Sequence, residues 1–405
     1  MTRPPRRRWG VVVLLLLATS PVGAQRPDSP STPAPNEPVE SAFLKVAGPR
    51  LHAVNARDIV DANGNRTPGY REGHWTLDFG RGQGPAVRHQ PGDTVLIFVH
   101  GYNTSLPEAL SNGTALRDHL VLIDRRLREL PSDGVETSAL TIYLFLWRGD
   151  LGPSNFATAQ RAADVSATSL THFIAHVSQG LQGGKIVLMA HSLGVRVALE
   201  ALRRVPVDSA VFVQGAVPVT SIYRWTATNV LSESSPVESC TGRYADVIRN
   251  AGHLLYTFTR DDSVLATWFS SKEWYLPHDE VCFLPIFDSQ YSVVKSQAVR
   301  SRAIGSPFDT EGVLEAIGKP RPLEDRLSQS GAREPGVLPK GPFLQDLAAL
   351  YKFRFHLEHP NVERVDLSTL RSSGVRVADW HTPIFEKTGA SVVELLWRRV
   401  LAALK

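Results

Sequence analysis

The stretch Lys185-Ile-Val-Leu-Met-Ala-His-Ser-Leu-Gly194, followed by residues 195–204, predicts a buried strand, a sharp turn and a helix. Ser192 lies at the tip of the predicted turn. A serine in that position needs small neighbours two residues before and two residues after it, and these are Ala190 and Gly194. The turn exposes the hydroxyl group, so Ser192 is the candidate nucleophile. The alternative is an ordinary strand, turn and helix with a surface serine.

Backbone N–H groups near Ser192 could stabilise a negatively charged oxygen. At a helix N-terminus they have no partner within the helix and carry partial positive charge, which suits the oxyanion formed when a serine attacks a carbonyl. Leu193 would supply the first donor. The apolar run 93–99 ends in His100-Gly101, and the following loop would supply the second donor from Tyr102. We expect His100 to support that loop and not to react.

These residues resemble the alpha/beta-hydrolase superfamily, and more closely its bacterial branch of largely uncharacterised domains with a His-Gly-aromatic-Asn loop. The resemblance covers residues 90–265 in order and then the residues after 352. The segment 266–352 has no counterpart in the family pattern, and the expected proline after Trp147 is absent. The matching motifs are His100-Gly-Tyr-Asn103, Phe145-Leu-Trp-Arg148, Ala190-His-Ser-Leu-Gly194, Thr259-Arg-Asp-Asp-Ser-Val-Leu265 and Trp380-His-Thr-Pro-Ile-Phe385.

The resemblance implies an α/β fold of the alpha/beta-hydrolase type, with a mostly parallel central sheet, helices on both faces and a cap-like insertion. Apolar strands that alternate with amphipathic helices predict the same architecture. Residues 43–90 would form an antiparallel start of the sheet. The later predicted elements are a strand to His100, a helix over 106–130, a strand over 139–147, a helix over 157–177 and a strand over 210–214.

A serine nucleophile needs a base to take its proton and an acid to orient that base. In this fold both partners follow the nucleophile along the chain, each in a loop after a later strand. The predicted strand 253–259 is followed by Arg260, Asp261 and Asp262. By resemblance to the family pattern Asp262 is the acid, with Asp261 as the alternative. One carboxylate should face the imidazole while the other faces water or Arg260.

The base is predicted at His381. Residues 361–368 look like the last strand, and His381 lies between it and a terminal helix over about 391–404, where the fold carries its catalytic histidine. The competing histidines either precede that strand, at the wrong edge of the sheet, or fall in the unplaced insertion. They are His356, His359 and His278.

The sequence carries no cofactor signature. None of the thirteen histidines belongs to a His-Glu-x-x-His motif, and His356 and His359 lie in an extended segment that does not present them one helical turn apart. The segment Gly80-Arg-Gly-Gln-Gly84 has glycines but no following helix, as a dinucleotide site would require. We therefore expect neither a metal nor a nucleotide cofactor, and the family needs none.

Residues 1–24 predict a cleaved export signal. Four arginines precede a nearly unbroken apolar run from Trp9 to Ala18, and small residues lead up to Gln25. The run is short for a bilayer span, so an uncleaved membrane anchor is the alternative. We expect a flexible, proline-rich lead-in over 25–41, a folded domain over 42–405, and a periplasmic or extracellular location.

The net charge of the chain belongs to this leader. It holds four of the 44 basic residues and none of the 40 acidic ones, which leaves 40 of each in the remainder. A nearly neutral chain without a basic block gives no electrostatic reason to expect a nucleic-acid partner. The expected partner is a small-molecule or lipid-like acyl substrate; the sequence does not predict membrane contact or oligomeric state.

Cys240 and Cys282 are the two cysteines of the chain. In an oxidising compartment an even pair is a candidate disulfide, and this pair brackets the strand and loop that carry Asp262. A closed loop of this length would contribute on the order of 3 to 4 kcal/mol. Two separate thiols are the alternative.

Residues 266–352 lie between the predicted acid and base, so they should emerge at the same edge of the sheet as the candidate site. The first half is rich in aromatic residues and the second in proline and polar residues. We expect a cap that shapes an acyl pocket; a partly disordered surface insertion is the alternative for the second half. The sequence as a whole predicts an exported serine hydrolase acting on carboxylic esters. The alternatives are an amidase or acyltransferase with the same triad, or a non-catalytic envelope binding protein.

Overall fold

The computed structural model describes most of the region from residue 50 to the C-terminus. The predicted leader (1–24), the lead-in (25–41) and the alternative acid Asp261 lie outside the described residues. The described ranges are 50–78, 89–129, 140–152, 154–222, 224–229, 236–259, 262–265, 282–287, 293–301, 314–322, 351–356 and 361–405.

The described strands form one large sheet and two small ones. The large sheet has eight strands in the order β14-β9-β6-β5-β3-β4-β1-β2, and the small sheets have the orders β10-β11-β12 and β13-β7-β8. In chain order the strands are β1 Arg50–Asn55, β2 Thr76–Asp78, β3 Thr94–Val99, β4 Leu140–Leu146, β5 Lys185–His191, β6 Val207–Val213, β7 Arg224–Asn229, β8 Pro236–Thr241, β9 Ala251–Phe258, β10 Cys282–Phe287, β11 Val293–Ser301, β12 Leu314–Pro322, β13 Tyr351–His356 and β14 Val362–Asp366.

Five described α-helices accompany these strands: α1 Leu106–Glu129, α2 Phe156–Gly180, α3 Gly194–Leu202, α4 Ser368–Ser372 and α5 Ala390–Ala403.

The large sheet is buried on both faces. Alternate residues of β3 show this, because Val95, Ile97 and Val99 pack in the layer that contains α2 and α3. Leu96 and Phe98 point to the opposite layer, which contains α1 and α5. Because both faces of the large sheet are covered, its central strands need apolar residues at every position and not only at alternate ones.

Six of the seven strand pairings in the large sheet are parallel, which confirms the predicted fold class. The exception is the edge pair β1 and β2, which is antiparallel. The prediction of an antiparallel start over residues 43–90 is confirmed for the edge pair β1 and β2, but it does not include the parallel pairing of β1 with β4. Short strands separated by turn residues are typical of hairpins, and among the described residues antiparallel pairing joins residues 53–55 to residues 76–78 and Val60 to Arg66. All of β1, from Arg50 to Asn55, pairs with β4 and so extends the parallel sheet.

Part of the predicted insertion 266–352 forms the antiparallel sheet of β10, β11 and β12. Its role as a cap stays a prediction. The side chains of Cys240, in β8, and Cys282, in β10, lie outside the described part of the structure, so their disulfide also stays a prediction. Within the described ranges, no helix combines the length and the apolar character that a membrane span needs.

Gly194 can be tested as a close-packing requirement of the fold. A Cβ atom at this position would lie 2.4 Å from the carbonyl oxygen of His100 and 2.7 Å from that of Val99, and both belong to backbone that cannot move freely. We expect Gly194→Ala to lower the free energy of unfolding by about 1–3 kcal/mol, the usual cost of overpacking. The measurement is urea unfolding followed by circular dichroism.

Gly180→Ala is the matched control. Gly180 is the last residue of α2, and the nearest atom to an added Cβ would be a ring carbon of His89 at 3.8 Å, an ordinary contact. We expect this variant to equal or slightly exceed the wild type, because alanine is the better helix former. Equal stability of the two alanine variants would contradict the close-packing argument.

Candidate active site

The candidate site lies at the carboxyl edge of the large sheet. The ends of parallel strands meet at one edge, so the loops that follow β3, β5, β6 and β9 are brought together there. Ser192 follows β5 directly, Gln214 follows β6 directly and Asp262 comes four residues after β9. His381 lies in the loop between α4 and α5, after the edge strand β14.

The turn at Ser192 has a left-handed backbone, with φ of 52°. This conformation costs a non-glycine residue about 1–2 kcal/mol, so the surrounding structure must hold it. The N–H of Ser192 donates to the carbonyl of Val213 at 3.0 Å, and its own carbonyl accepts from Val195 at 3.1 Å and Ala216 at 3.0 Å. The turn is thus fixed between the end of β6 and the start of α3, which presents the hydroxyl at the sheet edge.

The loop after β3 packs directly against this turn. A Cβ on Gly101 would lie 2.9 Å from Nδ1 of His191 and 3.0 Å from Cβ of Ser192, so a larger residue has no room. The same loop is held from its other side, because the N–H of Asn103 donates to the carbonyl of Gly149 at 2.8 Å. The backbone of residues 100–103 therefore lies beside the serine.

Ser192, His381 and Asp262 form an unbroken chain of hydrogen bonds. Nε2 of His381 lies 3.1 Å from Oγ of Ser192, and Nδ1 of His381 lies 2.9 Å from Oδ2 of Asp262. The carboxylate can only accept, so Nδ1 carries the proton and Nε2 is left to accept the serine hydroxyl. The structure thus brings together the three side chains that the sequence predicted as nucleophile, base and acid.

Asp262 is the most enclosed member of this chain. Its side chain is 0% exposed, whereas that of His381 is 10% exposed. The second carboxylate oxygen, Oδ1, accepts from the N–H of Leu265 at 2.8 Å. Both oxygens of Asp262 therefore have donors, as a buried carboxylate requires.

The two predicted oxyanion donors belong to the loops on either side of Ser192. Within the described ranges, the N–H groups of Tyr102 and Leu193 have no hydrogen-bond acceptor. The loop of Tyr102 is fixed by its side chain: the hydroxyl donates to the carbonyl of Gly152 and the ring packs edge-on against Phe156, with centroids 5.4 Å apart. Burial raises the pKa of the Tyr102 hydroxyl, which keeps it a donor. Their role as oxyanion donors stays a prediction.

His100 is buried and occupied by backbone groups. Nδ1 lies 3.0 Å from the carbonyl of Gly101, Nε2 accepts from the N–H of Trp147 at 3.3 Å, and the Trp147 indole donates to the His100 carbonyl at 2.7 Å. Burial lowers the pKa of His100 to about 4. A neutral ring with both nitrogens in use supports the loop and has no free site for proton transfer.

Side chains that the sequence analysis did not single out hold the loop of His381. Nε2 of Gln214 donates to the carbonyl of Trp380 at 3.1 Å, and Nε2 of His191 donates to the carbonyl of His381 at 2.7 Å. Gln214 has a left-handed backbone, with φ of 47°, and is fully buried. A polar residue directly after an apolar strand at the carboxyl edge is the signal that could have identified it.

An ion pair between a buried arginine and a partly exposed aspartate fixes the helix that follows the serine turn. Arg196, on α3, is fully buried and donates to Asp164, on α2, from Nε at 2.8 Å and from Nη2 at 3.0 Å. This two-point contact fixes orientation as well as distance. The N-terminus of α3 is therefore held in register with Ser192.

The described residues offer no group of three or more His, Cys, Asp or Glu side chains that could hold a metal ion. Histidines away from the site have other contacts. Nε2 of His89 lies 3.2 Å from the hydroxyl of Tyr143, and burial lowers the pKa of His89. His253 faces Glu363 at 3.6 Å.

A mostly parallel sheet with a left-handed serine turn at its carboxyl edge defines the alpha/beta-hydrolase class. Residues 84–222 match a family described as "alpha/beta hydrolase of unknown function (DUF900)". For residues 84–222 this match confirms the alpha/beta-hydrolase resemblance predicted from the sequence. No curated protein matches the chain.

Several solved structures show limited similarity. Lipase B of Aspergillus fumigatus is 12% identical with a TM-score of 0.24, over 44% of this chain and 39% of its own length. Est1E of Butyrivibrio proteoclasticus is 14% identical with a TM-score of 0.21, over 45% and 75%. Phospholipase PlaB of Legionella pneumophila is 11% identical with a TM-score of 0.24, over 54% and 53%. At these values the likeness carries no argument about substrate.

The buried histidines make stability sensitive to acid. Burial, with a smaller effect of His381, lowers the pKa of His191 from 6.5 to about 3. Below pH 6.5 the unfolded chain takes up a proton at this residue and the folded protein does not, so the free energy of unfolding falls as pH decreases. The limiting slope is about 1.4 kcal/mol per pH unit for each such histidine.

The His191→Gln variant isolates this contribution. We measure urea unfolding at several pH values between about 7 and 4. As pH decreases, the free energy of unfolding should fall more steeply for the wild type than for the variant. The two slopes should differ by at most that of one bound proton, about 1.4 kcal/mol per pH unit. Parallel pH profiles of the two proteins would contradict the neutral, buried state assigned to His191.

Proposed function

We propose that this protein is an exported serine hydrolase that cleaves carboxylic esters of a small-molecule or lipid-like acyl group. The observation that carries the proposal is the hydrogen-bond chain from Ser192 through His381 to Asp262, with distances of 3.1 and 2.9 Å. These are hydrogen-bond distances suited to proton transfer. Export is proposed from the leader at residues 1–24 alone.

In the first half-reaction, Oγ of Ser192 attacks the carbonyl carbon of the ester while its proton moves to Nε2 of His381. The negative charge that forms on the carbonyl oxygen would be stabilised by the N–H groups of Leu193 and Tyr102. Collapse of this intermediate breaks the bond to the alcohol oxygen, which takes the proton from His381. The acyl group remains on Ser192 as an ester.

In the second half-reaction, water attacks the acyl group while its proton moves to Nε2 of His381. Collapse returns the proton to Oγ of Ser192 and releases the carboxylic acid. Asp262 holds the Nδ1–H of His381 throughout and stabilises the imidazolium that forms twice in each turnover. Its fixed position, with the second oxygen bound by Leu265, removes the need for reorganisation during the reaction.

The ester is the preferred substrate class because an alcohol leaves more readily than an amine. Amide hydrolysis and acyl transfer would use the same three residues. Transfer differs only in whether water or an alcohol attacks the acyl group on Ser192.

The first test of this proposal is the intact mass of the purified protein after reaction with a fluorophosphonate, run beside Ser192→Ala. We expect one adduct on the wild type and none on the variant, because an activated serine attacks phosphorus as it attacks a carbonyl. An unlabelled, folded wild type would overturn the enzyme proposal and favour a non-catalytic binding protein of the envelope.

Substitutions test the three roles separately. Ser192→Ala, Asp262→Asn and His381→Ala should each lower ester turnover by at least about a thousandfold, because the three residues act as a unit. The measurement is kcat on p-nitrophenyl esters, with the thermal midpoint as a check on folding. Asp261→Asn, the same change one residue earlier, is the matched control and should cost far less. Comparable losses from the two variants would contradict the assignment of Asp262 as the acid.

A further inference from the structure

We infer that His191, the residue before the nucleophile, is a positioning residue that holds the base in place through a hydrogen bond from its Nε2 to the backbone carbonyl of His381. The inference rests on the proposed function, because it assigns a role toward the proposed base. His191 would act on the reaction through His381 and would not touch the substrate.

The contact is short and enclosed. Nε2 of His191 lies 2.7 Å from the carbonyl oxygen of His381, and His191 is 5% exposed. A carbonyl oxygen can only accept, so the His191 ring carries a proton on Nε2. The rings of the two histidines also lie side by side, with centroids 5.0 Å apart and planes tilted by 58°.

His191 is held in turn by its neighbours. Phe385 packs edge-on against its ring, with centroids 5.2 Å apart. Gly101 also approaches so closely that a Cβ there would lie 2.9 Å from Nδ1 of His191. The ring therefore has little freedom to turn, and the direction of its Nε2–H bond is fixed.

A second donor holds the neighbouring carbonyl. Nε2 of Gln214 donates to the carbonyl of Trp380 at 3.1 Å, and the N–H of Gln214 donates to the hydroxyl of Thr257 at 3.1 Å. Two consecutive carbonyls, those of Trp380 and His381, are thus fixed by side chains at the ends of β5 and β6. With its backbone held at both places, His381 retains only side-chain rotations, and Asp262 and Ser192 limit these.

Such anchoring affects rate because proton transfer depends on placement. A displacement of about 1 Å at a reacting group can cost about a hundredfold in rate. The anchor is uncharged, because burial lowers the pKa of His191 well below the pH at which hydrolases are assayed. It therefore holds the loop without opposing the positive charge that forms on His381.

The test compares two amide substitutions at this position. The side-chain nitrogen of His191→Gln can reach the place of Nε2, whereas that of His191→Asn is one methylene group too short. We expect His191→Asn to lower kcat by about 10- to 100-fold with KM nearly unchanged, and His191→Gln to recover most of the loss. His191→Phe, which keeps a ring but no donor, should behave like His191→Asn. The substrate is a p-nitrophenyl ester, and each thermal midpoint is recorded.

His119→Phe is the matched control. Nδ1 of His119, on α1, lies 3.0 Å from the carbonyl of Ile384, so it anchors the same loop three residues beyond the base. We expect this variant to lower the thermal midpoint but to keep kcat within about threefold of the wild type. Equal losses of kcat in His119→Phe and His191→Asn would overturn the inference, because the anchor at His381 would then have no particular role.

The outcomes separate this inference from the proposed function. A wild type that neither reacts with fluorophosphonate nor cleaves esters refutes the proposed function. A wild type that does both, beside a folded His191→Asn variant with full kcat, refutes the positioning role alone. A loss of kcat in His191→Asn that His191→Gln does not restore also refutes it, because the donor would then be irrelevant.

Discussion

Two glycines permit the end of β3 and the turn after β5 to approach more closely than any side chain would allow. Gly194 places the start of α3 against the carbonyls of Val99 and His100, and Gly101 places the next loop against Ser192. β3 and β5 are parallel neighbours, so both loops leave the sheet at the same edge. The N–H groups of Tyr102 and Leu193 can lie beside the serine only because these backbones meet. The remaining parts of the candidate site are arranged around that contact.

Hydrogen bonds from buried side chains then fix the loops around this centre. The ring of His100 forms hydrogen bonds with backbone groups of Gly101 and Trp147, and the side-chain amide of Gln214 donates to the carbonyl of Trp380. A buried polar group that loses its partner costs about 1–3 kcal/mol, so each of these contacts resists displacement. Loops without secondary structure acquire in this way the rigidity that a catalytic arrangement needs. The left-handed turn at Ser192 depends on the same support, because its bonds to Val213 and Ala216 offset the cost of its backbone conformation.

The sequence predicts those parts of the molecule that depend on local pattern. Continuous apolar runs identify β3, β5 and β9, and the spacing of Ala190, Ser192 and Gly194 identifies the turn. His381 could be identified as the candidate base because the fold limits which loop carries that residue. The parallel pairing of β1 with β4 could not be predicted, since it depends on contacts between residues about 90 positions apart and not on local pattern. The anchoring by His191 and Gln214 is equally non-local: each meets a backbone carbonyl more than 150 residues away in sequence.

The neutral ring of His191 matters because it lies beside His381, the side chain that would become positively charged. If His381 acts as the proposed base and becomes an imidazolium, it has the Asp262 carboxylate 2.9 Å from Nδ1 and the ring of His191 beside it, with centroids 5.0 Å apart. A positive charge at the place of His191 would oppose the imidazolium by about 3 kcal/mol at an effective dielectric constant near 20. That repulsion would offset much of what the carboxylate contributes and would slow the reaction by roughly a hundredfold. Burial keeps His191 neutral, so a donor strong enough to hold the loop adds no charge beside the base. A lysine or arginine donor at the same position would hold the carbonyl as well, but it would weaken the base that it positions.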